Sequence, residues 1–211
     1  MPEHQFHWRT YWWLVWGFMI AVPVGTVLHE SAHYLTAKVM GYEGYLSYRS
    51  TIYTFIPDAG NALMNKRILV TMAGPLQTML TGLLGLAFLW YHRRSIQKSR
   101  QLNIRQWILI FLSYFWLRQV MNLFIWLISM ILGGDHIKNS DEIKTSIYFG
   151  LPFWLITVVT GIIGCGLLAF VYLKFIPRLH KWDFPAALIS GCAAGYFLWF
   201  GWLGKILLPV K

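Results

Sequence analysis

Two histidines and a glutamate stand at the spacing of a zinc site in the segment His29-Glu30-Ser31-Ala32-His33. In a helix, residues four apart lie on one face, so the imidazoles of His29 and His33 can bind one zinc ion together. Glu30 can accept a proton from a water molecule whose pKa zinc lowers. The hydroxide formed in this way attacks a peptide carbonyl, which is protease chemistry. The alternative is that the three residues lie at a wet helix end and only form hydrogen bonds.

Such a site needs a third protein ligand, because catalytic zinc sites keep three and leave a fourth position for water. The first apolar run carries both histidines in its later half, and two further runs return the chain to that side of the membrane. We therefore expect the third ligand in the 133–150 segment, with Asp141 first and Asp135 as the alternative. Each also has a structural interpretation, Asp135 in a turn and Asp141 as a helix cap. The full set of candidates is Glu3, Glu43, Asp58, Asp135, His136, Asp141, Glu142 and Asp183.

The composition places these residues in a membrane. Of the 211 residues, 57% are hydrophobic and 12% are charged, whereas soluble domains carry about 25% charged residues. A chain this apolar cannot bury its hydrophobic surface in one soluble core and needs lipid around it. The formal charge is +10, but the basic residues lie mainly between the apolar runs. That distribution favours contact with a membrane surface and argues against nucleic acid as a partner.

Five apolar runs are long enough to cross a bilayer, for which a helix needs about 20 residues. After the first run, segment 41–57 is rich in Tyr, Thr and Ser and alternates as one or two short strands do. We predict an all-α polytopic membrane protein with about five transmembrane helices and a small β-hairpin after the first. It would form one domain, 1–211, with a core over 11–175, in a cell membrane that we expect to be bacterial. The runs cover about residues 11–40, 68–91, 106–132, 151–175 and an additional C-terminal 184–208.

Polar and helix-breaking residues in the spans are further candidates. Arg118 and Asn122 are four apart and share one face of the third span. One prediction is functional: the two residues line the catalytic cavity or stabilise the segment that carries the third ligand, and Asn122 holds a substrate carbonyl. The other is structural: they form hydrogen bonds between helices. One interpretation of Gly74-Pro75 is that it breaks or starts a helix and leaves backbone groups free near the site. The favoured prediction is a helix N-terminus with the proline in its first turn.

Three segments together resemble the site-2 protease family of intramembrane metalloproteases. The first is the 29–33 motif, and the second is Ala73-Gly74-Pro75-Leu76-Gln77, which looks like the family's Ala-Gly-Pro-Leu-Ala-Asn segment. The third, Ser140-Asp141-Glu142-Ile143-Lys144, is similar in placement to the family's Leu-Asp-Gly-Gly motif, which carries the third zinc ligand. The likeness extends over residues 20–155.

The resemblance implies a zinc-dependent endopeptidase that hydrolyses peptide bonds within or near the membrane, with Zn²⁺ as cofactor. Its partners would be a membrane protein or peptide substrate and the lipid bilayer. The chain departs from the family because Gly-Gly precedes Asp135 instead of following Asp141, and because no proline follows Asn122 as in the family's Asn-x-x-Pro element. Two alternatives therefore stay open: a catalytically inactive relative that acts as a binding or regulatory partner, and a metal transporter that uses the same histidines.

Overall fold

A computed structural model describes residues 6–54, 61–99, 101–133 and 140–210. Within this part of the chain, five helical segments are long and apolar enough to cross a membrane. In the apolar window of each segment, only 22% to 39% of the residues are buried, so most apolar side chains face outward, as lipid-facing helices do. The five-span helical membrane architecture predicted from the sequence is confirmed. The segments are Trp8–Val39, Lys66–Tyr91, Ile104–Ile131, Leu155–Phe175 and Asp183–Leu207.

The regular elements alternate long membrane helices with short surface pieces. The two strands pair antiparallel, with Glu43 opposite Thr54 and Leu46 opposite Thr51, so the predicted hairpin is also confirmed. Short 3₁₀ turns at Tyr114–Trp116 and Arg178–His180 and a π turn at Trp199–Leu203 complete the described elements. In chain order these are α1 (Trp8–Val39), β1 (Glu43–Leu46), β2 (Thr51–Thr54), α2 (Asn61–Tyr91), α3 (Arg93–Lys98), α4 (Ile104–Ser113), α5 (Leu117–Ile131), α6 (Asp141–Tyr148), α7 (Leu155–Phe175), α8 (Asp183–Leu198) and α9 (Gly204–Leu207).

Local sequence explains where several helices begin and end. At the start of α4, the side chain of Asn103 accepts from the backbone N–H of Gln106, whose side chain accepts from the backbone N–H of Asn103, both at 3.0 Å. This reciprocal pair satisfies two backbone donors that the first helical turn leaves free. Ser140 caps α6 in a similar way, accepting from Ile143 at 3.3 Å. After α1, Gly41 has a φ of +83°, which glycine accommodates without the steric cost of a side chain.

Glycines bring the first and last long helices close together. A Cβ on Gly191 would lie 2.6 Å from the carbonyl oxygen of Val15, and one on Gly195 would lie 2.6 Å from that of Met19. Both pairs are four residues apart, so α8 lies against one face of α1 at a separation that only small residues permit. Beside this contact, the aromatic rings of Phe18 and Phe184 pack at 5.4 Å. The C-terminal span is thus packed directly against the helix that carries the histidine motif.

The prediction that Gly74-Pro75 begins a helix is wrong, because α2 runs from Asn61 to Tyr91 with Pro75 inside it. Pro75 has no N–H for the carbonyl of Thr71, and in solution that loss usually ends a helix. In a membrane protein, neighbouring helices and local adjustments can compensate for it. Here α2 packs against both α1 and α4, and these contacts hold the helix together through the proline.

Candidate metal centre

The two motif histidines face the interior from the later half of α1. His29 is 1% exposed and His33 is 6% exposed. Their Nε2 atoms lie 3.1 Å apart, as expected for residues one helical turn apart on the same face. Two nearly perpendicular imidazoles are thus held together inside the protein, where each nitrogen needs a partner.

Helix α2 supplies the partners for the other nitrogen of each ring. The Nδ1 of His33 lies 2.6 Å from the carbonyl oxygen of Val70, and a carbonyl can only accept, so this Nδ1 carries the proton. The Nδ1 of His29 lies 2.9 Å from the Thr78 hydroxyl, whose own proton goes to the carbonyl of Gly74 at 3.0 Å. His29 therefore donates from Nδ1 as well. These bonds assign the same tautomer to both rings and leave both Nε2 lone pairs facing each other.

Asp141 brings a carboxylate to the same point. Its Oδ2 lies 3.4 Å from the Nε2 of His29 and 3.2 Å from the Nε2 of His33. It is the first residue of α6, where Ser140 caps the helix, so the Asp141 side chain does not serve as the cap.

The other candidates for the third ligand are placed differently. Asp58, Asp135 and His136 lie outside the described residues, as does Glu3. Glu43 is exposed on β1. Asp183 begins α8, where it contacts His7 and His180 instead of the motif histidines. Glu142 is turned toward α5. Among the described candidates, Asp141 is the one that the structure brings to both histidines.

The chemistry of these three atoms fits a zinc ion. Tetrahedral zinc at about 2.0–2.1 Å from each ligand holds its ligand atoms roughly 3.3 Å apart, close to the 3.1 to 3.4 Å found here. Two nitrogen lone pairs and a carboxylate oxygen also repel one another unless a cation lies among them. Gly74 faces the same point, because a Cβ there would lie 2.3 Å from the Nε2 of His33 and 2.5 Å from that of His29. The residues present therefore suit zinc in type, spacing and available room.

Glu30 lies beside this group without joining it. One ligand atom each from His29, Glu30 and His33 falls within 4.8 Å of the others, but Asp141 is nearer to both rings. Glu30 is 6% exposed and is held by Thr51 of β2, whose hydroxyl lies 2.7 Å from the Glu30 carbonyl oxygen and 3.2 Å from its Oε2. Thr51 thus fixes the Glu30 carboxylate beside the two imidazoles.

The polar residues of the third span serve different purposes. The Nδ2 of Asn122 donates to Oε1 of Glu142 at 2.9 Å, joining α5 to the helix that begins with Asp141. Burial raises the pKa of the Glu142 carboxyl. Arg118 is half-buried, and its Nε has no hydrogen-bond partner among the described residues. The guanidinium is near enough to interact electrostatically with His29, Glu30 and Glu142.

Several site residues were not predicted from the sequence. Val70, Gly74 and Thr78 lie four residues apart along α2, so they present one helical face to the histidines. The sequence contains that spacing, but only the fold shows that this face of α2 meets the histidines. Thr51 carries no comparable signal, since its contact with Glu30 depends on how the hairpin folds back on α1.

No protein-family model, curated protein or solved structure matches this chain. The resemblance to site-2 proteases, carried by three short segments, therefore stays a prediction. The donor set and its surroundings are the observations from which a function can be inferred.

Proposed function

We propose that the protein is a zinc-dependent endopeptidase that hydrolyses peptide bonds within or near the membrane. The proposed zinc ligands are His29, His33 and Asp141. One observation carries the proposal: the Asp141 carboxylate and two Nε2 lone pairs converge within 3.1 to 3.4 Å of one another. Hydrogen bonds from both Nδ1 atoms to α2 orient the rings, as is usual around metal-binding histidines.

Glu30 acts as the general base in this proposal. Zinc bound at this site lowers the pKa of water and polarises a carbonyl group. The Thr51 hydroxyl lies 3.2 Å from Oε2 of Glu30. Oε1 is free of this contact and can accept a proton from the attacking water. The same carboxyl group then returns this proton to the nitrogen of the leaving amine. Arg118 adds a positive charge near the site, which favours the negative charge that develops on the substrate carbonyl oxygen.

The hairpin offers a way to present a substrate to Glu30. Thr51 belongs to β2 and contacts Glu30 directly, so the two-stranded sheet lies against the catalytic part of α1. A strand edge binds an extended peptide through backbone hydrogen bonds. A membrane-spanning substrate would have to unwind locally before its backbone could pair in this way, which also exposes its scissile carbonyl.

The test is cleavage by purified, tag-free protein reconstituted into liposomes with a panel of single-span peptides, followed by mass spectrometry. Glu30→Gln keeps the shape of the side chain but removes the base. We expect it to lose at least about a thousandfold in cleavage rate while its zinc content equals that of the wild type. Gln97→Glu, an exposed exchange of amide and carboxylate on α3, is the control and should cleave normally. Cleavage that survives Glu30→Gln would refute the role of this residue.

The same preparation separates the two alternatives. A wild-type protein that binds zinc through the motif histidines but cleaves no peptide would be the inactive relative that acts as a binding partner. Zinc flux into liposomes that persists in Glu30→Gln would indicate the transporter. No contact among the described residues favours either alternative over the protease.

A further inference from the structure

A second cluster of histidines and a carboxylate lies at the other end of the bundle. It joins His7, which directly precedes α1, to His180 in the 3₁₀ turn before α8 and to Asp183, the first residue of α8. His180 is 4% exposed and Asp183 is 1% exposed. The Nδ1 of His180 lies 3.1 Å from Oδ2 of Asp183, and the Nδ1 of His7 lies 3.5 Å from the same oxygen. The segments that precede the first and the last span thus meet at one carboxylate.

The carboxylate is oriented by the backbone. Its other oxygen, Oδ1, accepts from the backbone N–H of His7 at 3.1 Å, which turns Oδ2 toward both imidazoles. A carboxylate this deeply buried needs compensation for the water that it has lost. The positive end of the α8 dipole supplies part of it. A cation shared with the two rings would supply the rest.

One nitrogen in the cluster is left without a partner. The Nδ1 of His7 is buried and forms no hydrogen bond among the described residues, although it points at a carboxylate oxygen 3.5 Å away. That distance is beyond a good hydrogen bond but within the span between two ligands of one metal ion. One ligand atom from each of the three residues lies within 4.8 Å of the others.

We propose that His7, His180 and Asp183 form a second metal site, which takes a divalent transition-metal ion such as zinc. Two imidazole nitrogens and one carboxylate oxygen are a donor set that such ions prefer over calcium or magnesium. The ion ties the start of the first span to the start of the last. Its contribution is structural, because it closes a link between residues that are 176 positions apart in the chain.

The two sites are separate. His7 and His29 are roughly 33 Å apart along α1, from its rise of 1.5 Å per residue. Between them the helix buries Leu14, Val15 and Phe18, and Phe18 packs against Phe111 and Phe184. This apolar packing lies between the two sites along α1. The second site therefore does not depend on the proposed protease chemistry.

The test measures zinc content per chain on tag-free protein. The background is the double variant His29→Ala/His33→Ala, which removes the first site. After equilibration with Zn²⁺ and removal of excess, we expect one zinc ion per chain in this background. Adding His180→Gln should reduce the content to none, whereas His92→Gln, an exposed residue at the end of α2, should leave one. Because His180 is buried and its variant can fail to fold, the half-exposed His7→Gln is measured in parallel and is also expected to abolish binding.

Cobalt gives an independent reading, because a Co²⁺ ion with nitrogen and oxygen ligands absorbs visible light according to its coordination. The background protein should show this absorption, and the His7→Gln variant should not. A background protein that binds no zinc would overturn the proposal, as would a zinc ion that survives both His7→Gln and His180→Gln. Neither result bears on His29 and His33, so this proposal and the proposed function fail independently.

Discussion

Replacing Gly74 with alanine adds one methyl group at the point where the zinc ligands converge. The added Cβ would lie 2.3 Å from the Nε2 of His33 and 2.5 Å from that of His29, whereas ordinary contacts between such atoms are about 3.5 Å or more. Either the rings or the helix must therefore move by roughly 1 Å. The rings cannot yield freely, because Val70 and Thr78 hold their other nitrogens.

The expected loss of zinc affinity follows from how little zinc–ligand distances can vary. Functional zinc–ligand distances vary by only about 0.2 Å, so a displacement of roughly 1 Å affects two ligands at once. Loss of a single outer hydrogen bond around a metal already lowers affinity by about 10- to 100-fold. We therefore expect Gly74→Ala to weaken zinc binding by at least about 100-fold, or about 2.8 kcal/mol. The helix itself should not suffer, since alanine is favoured over glycine inside a helix by about 1 kcal/mol.

The assay is competition for zinc against a chromophoric chelator, with thermal unfolding in detergent as the measure of folding. Gly166→Ala is the matched control: this glycine lies inside α7, and a Cβ there meets nothing within 4 Å. It should bind zinc with wild-type affinity. If Gly74→Ala also bound zinc as tightly as the wild type while remaining folded, the proposed position of the ion beside Gly74 would be refuted.

Two further predictions concern residues that support the site. Thr78→Val keeps the shape of the side chain but removes the acceptor for the Nδ1 proton of His29; zinc affinity should fall by about 10- to 100-fold in chelator competition, and Thr78→Ser should restore it. Equal affinity in all three proteins would contradict the assigned tautomer. Asn122→Ala removes the side-chain donor to the buried Glu142 carboxyl group, which should cost about 1–3 kcal/mol of stability in thermal unfolding. The double variant Asn122→Ala/Glu142→Leu should recover much of that loss, and a cost that is unchanged in the double variant would contradict this pairing.

Much of the architecture could be predicted because membrane helices are defined by length and apolarity. The spans at 68–91 and 184–208 agree with Lys66–Tyr91 and Asp183–Leu207 to within two residues. The fourth span begins later than predicted, at Leu155, because Pro152 precedes it in a non-helical turn. The predicted helix start at Gly74-Pro75 was wrong because tertiary packing keeps α2 helical through Pro75, against the local preference of proline.

The sequence predicts only the part of the site that follows from the spacing of residues along one helix. His29 and His33 share a face because four residues make about one helical turn. The contact of Asp141 with them depends on how α6 packs between α2 and α7, which no periodicity encodes. The pairing of His7 with Asp183 likewise joins residues that are far apart in the sequence and was not predicted. Asp135 stays open as a sequence-based alternative, since it lies outside the described residues.

The central claim is that His29, His33 and Asp141 bind one zinc ion. Zinc content per chain, measured on purified wild type, Asp141→Ala and Asp135→Ala, tests it most directly. We predict that Asp141→Ala holds one zinc ion fewer than the wild type, whereas Asp135→Ala holds the same number. Wild-type zinc content in Asp141→Ala, or a loss confined to Asp135→Ala, would contradict the claim.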